Sequence, residues 1–125
     1  MITGIGVDVV QVNRMNKWLE KKGLLEKHFH NDELSKILNG QKNAARSLAA
    51  KFAAKEAFGK ALGTGMRGIS LKDILVLNNE NGKPRLVLLD TARKKFEESG
   101  AQKIHVSLSH EREYAAAVII LESSP

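Results

Sequence analysis

Cysteine is absent from this 125-residue chain, which excludes disulfide staples, thiolate metal sites and a cysteine nucleophile. Aromatic residues make up only 5% of the sequence, and no basic stretch is interleaved with them, which argues against a stacking platform for single-stranded nucleic acid. No run reaches the roughly eighteen apolar residues of a membrane span, and the opening "MITGIGVDVV" has no basic region ahead of an apolar core. A cytoplasmic protein is expected, with no secretory signal and neither nucleic acid nor membrane as partner.

What is present fits one compact domain over residues 1–125, since 42% hydrophobic content can fill one core but hardly two in a chain this short. The formal charge of +6 favours an anionic partner: nucleic acid, an acidic protein or a phosphorylated small molecule. Charge alone does not choose among them.

Hydrophobic periodicity gives the elements. Residues Ile2 to Val10 alternate as a strand, with Ile5, Val7 and Val9 on one face and Gly4, Gly6, Asp8 and Val10 on the other. A short basic helix, "RMNKWLEKK", is expected after an Asn13 cap, with Met15, Trp18 and Leu19 inward and Gly23 as a left-handed terminator. "NDELSKILNG" repeats the pattern: Asn31 or Asp32 as cap, Leu34, Ile37 and Leu38 inward, Gly40 at the end. A long helix is expected over about 42–62, stopped by "GTG", then a hairpin over 74–89 and the helix "TARKKFEES" closed by Gly100. The runs "KIHVSLSH" and Tyr114 to Leu121 form a further antiparallel pair. The class is α+β, with helices packed on a mainly antiparallel sheet.

Two positions break these patterns. Asp is disfavoured inside strands and glycine weakens them, so Asp8 beside Gly4 and Gly6 looks like a carboxylate with open space next to it. Its plainer role is to end the strand and turn the chain. On the long helix, Leu48, Ala49, Phe52, Ala53, Glu56, Gly59, Lys60 and Gly63 share one side. A carboxylate and an ammonium therefore sit on a stripe of small residues where burial is expected. As a solvated i, i+4 pair they are worth only about 0.2–0.5 kcal/mol; as a site, the small neighbours leave room for a ligand to approach.

Four motifs, "GIGVD" (4–8), "FAAKEAFGKALGTG" (52–65), "NGKP" (81–84) and "HVSLSHEREYAAA" (105–117), stand in an order and spacing that closely resemble the bacterial holo-[acyl-carrier-protein] synthases, small 4′-phosphopantetheinyl transferases. The resemblance runs from Ile2 to Leu121. It implies transfer of phosphopantetheine from coenzyme A to a serine of apo-acyl carrier protein, releasing adenosine 3′,5′-bisphosphate, in support of fatty acid biosynthesis. It also implies that Asp8 and Glu56 hold Mg²⁺, an ion commonly bound by one or two carboxylates together with substrate phosphates. Lys60 then neutralises the pyrophosphate or protonates the leaving phosphate. The base that takes the serine proton is either Glu56 or a water on the metal that Glu56 orients.

The same resemblance makes Ser109 and His110 candidates for the nucleotide end of coenzyme A, and Asn81, Gly82 and Pro84 for its adenine surroundings. Arg14 becomes a docking residue for the acidic carrier protein, with Lys17, Lys21 and Lys22 less firmly matched. It also implies a homotrimer with sites between subunits. Lys55, about 100° from Glu56, is expected on another side of the coenzyme site or at a subunit contact; Lys51 stands where the family often has another base. His105 reads as a satisfied structural histidine. Two rival readings remain: a basic RNA-binding module, and a Mg²⁺-dependent phosphohydrolase that turns the same carboxylates on water. Neither explains the four motifs together.

Overall fold

The computed structural model describes residues 1–38 and 43–124, and among these it leaves out the side chains of Lys22 and Leu38. The elements run β1 (Ile2–Gln11), α1 (Val12–Leu19), α2 (Lys22–His28), α3 (Asn31–Leu38), α4 (Ala44–Leu62), a 3₁₀ turn (Leu71–Asp73), β2 (Ile74–Asn78), β3 (Pro84–Leu88), α5 (Asp90–Glu98), β4 (Lys103–His110) and β5 (Tyr114–Glu122). β1, β5 and β4 form an antiparallel sheet in that order, and β2 and β3 form a separate hairpin. The expected α+β architecture holds.

α4 lies at the centre. Its alanine-rich sequence suits helix, and twelve of its residues from Leu48 to Ala61 are buried, as expected of a helix covered on most sides. One flank meets the inner face of the sheet: Gly4, Gly6 and Val10 of β1, Ala115, Ala117, Ile119 and Leu121 of β5, and Val106 and Leu108 of β4. The other flanks meet α1, α3 and β2. Gly63, at φ 84°, ends the helix with its N–H on the Lys60 carbonyl, a left-handed cap that glycine adopts without Cβ strain.

β1 and α4 touch backbone to backbone. A Cβ on Gly6 would stand 1.9 Å from the Ala57 carbonyl oxygen, and one on Gly4 2.0 Å from that of Ala61. Only glycine permits this approach. The opposite face of the sheet is apolar yet exposed: Ile5 is 62% accessible, Val7 54%, Val9 59% and Val118 38%.

Several local expectations are corrected. β1 continues three residues beyond Asp8, so Asp8 does not end the strand. Helix α1 begins at Val12 with no side-chain cap from Asn13, because the strand runs straight into the helix and the Val12 N–H is satisfied by the Glu113 carbonyl. Gly23 is no terminator: α1 ends at Leu19, and Gly23 lies inside α2, a helix that the basic pattern concealed. At α3 the cap is His30 rather than Asn31 or Asp32. Its Nδ1 accepts the Asp32 N–H while Glu33 Oε1 accepts the His30 N–H, the reciprocal arrangement of a capping box. The expected roles of Gly40 and Lys42, and of the Leu38 and Lys22 side chains, fall outside the described parts.

Candidate functional site

The glycine contacts of β1 bring Asp8 against α4. Lys60 Nζ donates to Asp8 Oδ1 at 2.9 Å and to the Val7 carbonyl at 3.1 Å. The Lys60 side chain is 54% accessible and that of Asp8 17%, so the pair contributes little stability, at most about 1 kcal/mol. Glu56, one turn earlier, is partly buried. Its pKa is raised, first by loss of water and then by the Asp8 charge, and is opposed by Arg14, Lys60 and His28. Among the described residues Glu56 has no hydrogen bond or ion pair.

These carboxylates suit a hard divalent cation. Two repelling acids, one of them without a hydrogen bond or ion pair among the described residues and neither fully buried, form a donor set that a cation would relieve. Among the described residues no group of three or more His, Cys, Asp or Glu side chains could hold a metal ion. Any ion here would need ligand oxygens or water to complete its shell.

Arg14 projects from α1 toward the same place, with its guanidinium 5.0 Å from the Phe52 ring centre and 5.4 Å from that of Trp18. Trp18 stacks on His28 at 4.7 Å and meets Phe52 edge-on at 5.2 Å. The sequence reading found Arg14 but missed this aromatic platform, since its partners come from three helices.

The remaining candidates separate. Ser109 and His110 are neighbours in β4 and therefore face opposite sides of the sheet. His110 turns inward to a cleft of about 180 Å³ that it shares with Lys36, Lys51, Ser47 and Asn78. Ser109 faces outward with Ser107 and His105. His105 Nε2 lies 2.9 Å from Glu122 Oε1, consistent with a satisfied histidine, and this contact lowers the Glu122 pKa. Gly82, at φ 82°, lies in the hairpin turn, where Asn79 Oδ1 accepts the N–H groups of Asn81 and Lys83; Pro84 opens β3. Asn78 borders both the cleft and the Asn81 turn. Lys36 was missed because nothing on its own helix marks it out.

Two lysines of α4 depart from expectation. Lys55 is neither at a coenzyme surface nor exposed for a subunit contact. It is fully buried and paired with Glu33 at 2.7 Å, and burial lowers its pKa to about 8 although Glu33 pulls it up. Lys51 donates to the Val76 carbonyl at the cleft wall, and burial lowers its pKa as well.

Comparison with known proteins gives the family. Residues 4–119 match the model of the 4′-phosphopantetheinyl transferase superfamily. The chain is 54% identical over 122 residues to the holo-[acyl-carrier-protein] synthase of Treponema denticola, covering 98% of this chain and 99% of that protein. Among solved structures it is similar to the holo-(acyl-carrier-protein) synthase of Bacillus anthracis in complex with CoA (3′,5′-ADP), at 36% identity, TM-score 0.82 and 99% of both chains. It is also similar to the enzyme of Neisseria meningitidis, at 32% identity and TM-score 0.89, over 98% of this chain and 100% of that one. The chain belongs to the holo-[acyl-carrier-protein] synthase family within that superfamily.

Proposed function

We propose that this protein transfers 4′-phosphopantetheine from coenzyme A to a serine hydroxyl of apo-acyl carrier protein, leaving adenosine 3′,5′-bisphosphate, as a cytoplasmic, Mg²⁺-dependent enzyme serving fatty acid biosynthesis. The observation that carries the reading is the convergence of Asp8, Glu56 and Lys60 from two elements that glycine packing holds together. It is joined by family membership and by a relative solved with CoA (3′,5′-ADP).

Phosphoryl transfer asks a protein mainly for alignment and charge neutralisation. Mg²⁺, held by Asp8 and Glu56 when bound, would neutralise the pyrophosphate and draw electron density from phosphorus. Lys60 lies on the same side and is set to hold the leaving phosphate. Glu56, or a water that Glu56 orients, is the candidate to take the serine proton. The serine oxygen bonds to the pantetheine-side phosphorus as the bond to the bridging oxygen breaks, and the electron pair leaves with adenosine bisphosphate.

The nucleotide end is assigned to the cleft of Lys36, Lys51 and His110 and to the adjoining turn of Asn81, Gly82 and Pro84. At about 180 Å³ the cleft is below the roughly 300–1,000 Å³ usual for ligand pockets, which supports completion by a second subunit. The exposed apolar face of β1 and β5 supports the same assembly, a homotrimer with sites between chains, in which the outward-facing Ser109 would serve a neighbour. Arg14 on its aromatic platform is assigned to the acidic carrier protein.

The test is intact mass of an apo-acyl carrier protein incubated with this protein, coenzyme A and Mg²⁺, beside a chelated control. The expected result is a gain of one phosphopantetheine that chelation abolishes. Adenosine bisphosphate release with no gain on any carrier would favour the phosphohydrolase, and salt-sensitive RNA binding without either would favour the RNA-binding module.

A further inference from the structure

The packing of α4 on β1 leaves a mechanical question open. Glycine meeting alanine brings the two backbones close, but a surface without projecting side chains offers few ridges against sliding or rotation of the helix. The Asp8–Lys60 pair is exposed and does not supply that resistance. Yet a helix turned by one residue moves every side chain by about 100°, and Glu56 would then miss Asp8.

The opposite flank of α4 holds what the glycine face lacks. Lys55 Nζ donates to Glu33 Oε1 at 2.7 Å, the Leu71 carbonyl at 2.8 Å and the Ile74 carbonyl at 2.6 Å, so all three ammonium protons are used. Glu33 Oε1 also accepts the His30 N–H at 3.0 Å, and Oε2 accepts the Val76 N–H at 2.9 Å. The Phe29 ring centre lies 4.9 Å from Nζ. Both charged side chains have no accessible surface. The cluster therefore ties the start of α3, the 3₁₀ turn and β2 to one residue of α4, the residue immediately before Glu56.

A buried ion pair is a poor source of stability, because an apolar pair of similar volume often does as well or better. Its directional bonds are a better means of fixing a helix about its own axis. We propose that Lys55 and Glu33 are positioning residues: their buried pair sets the rotation of α4 that presents Glu56 and Lys60 to Asp8. Glu33 also borders the Lys51 cleft, so the pair also fixes the catalytic face relative to the proposed nucleotide end. The activity part of this inference rests on the transferase reading; the geometric part does not.

The test uses the full chain as Lys55→Met/Glu33→Gln, which removes both charges at once and leaves neither stranded, with Glu33→Gln alone as a second variant. Two readouts are taken on whichever melts cooperatively: the amide chemical shifts of Val7, Asp8 and Val9, which lie across α4 from the substitutions, and kcat with KM for carrier protein. The expected result is displaced β1 amides and a kcat at least about tenfold lower, with KM for carrier within about twofold of the parent, as small misplacement of reacting groups produces. Unmoved amides, or an unchanged kcat in a variant whose amides have moved, would overturn the proposal. A parent protein without transfer activity counts against the transferase reading alone, and the amide shifts then decide the positioning role by themselves.

Discussion

At the scale of the residue, the proposed site holds two carboxylates with different surroundings. Asp8 has an ammonium at 2.9 Å, whereas Glu56 has lost water and gained a like charge. Burial is the larger cause of the raised Glu56 pKa, so Asp8→Asn is expected to lower it only partway toward an ordinary glutamate in metal-free protein. Lys60→Met should move it the other way, because an opposing cation is removed. Carboxyl carbon NMR across an acid titration reads both signs, and an unmoved Glu56 in Asp8→Asn would separate the two carboxylates. For activity, Glu56→Gln and Asp8→Asn are each expected to cost roughly 100-fold or more in transfer, the usual scale for losing a group that stabilises developing charge, while the fold is kept. Full activity in both would remove the metal assignment.

At the scale of the element, the decisive contact is β1 on α4. Gly6→Ala places a methyl 1.9 Å from a backbone oxygen, and backbone cannot yield as a side chain can. A loss of about 1–3 kcal/mol is expected, as for other overpacked sites, together with reduced transfer because Asp8 is pushed off α4. Gly23→Ala is the control: it meets open space inside α2 and should stabilise by about 0.5–1 kcal/mol through helix propensity. Urea unfolding of the two variants measures both signs, and equal midpoints would contradict the close-approach account. Elements were also where the sequence was hardest to read. The α2 helix was hidden because "KGLLEKH" is short and carries a glycine, and the true cap of α3 is a histidine, a residue the usual cap preferences pass over.

At the scale of the whole molecule, charge and the bare apolar face set the expected partners. Long-range attraction would steer the proposed acidic carrier, so KM for carrier should rise with ionic strength, and Arg14→Ala should raise it at low salt and flatten that dependence. A KM indifferent to salt would detach the net charge of +6 from docking. Ile5, Val7, Val9 and Val118 together present more apolar surface than isolated exposed residues would. Val7→Lys/Val118→Lys should therefore dissociate the proposed assembly in sedimentation and lower transfer in parallel. An unchanged assembly would leave that face without its proposed cover.

Much was legible before any coordinates. Alternation marked β1 and the last two strands, a glycine-bearing turn between two apolar runs marked the hairpin, and an alanine-rich run stopped by "GTG" marked α4. The same patterns set Asp8 and Glu56 apart as residues that their own elements did not need. What sequence alone could not decide was distance. That Gly4 and Gly6 receive the carbonyls of Ala61 and Ala57, that His110 and Lys36 share a cleft while Ser109 turns away, and that Lys55 finds Glu33 twenty-two residues away in the core all depend on contacts between elements. Periodicity describes one element at a time; only the packed fold says which faces meet.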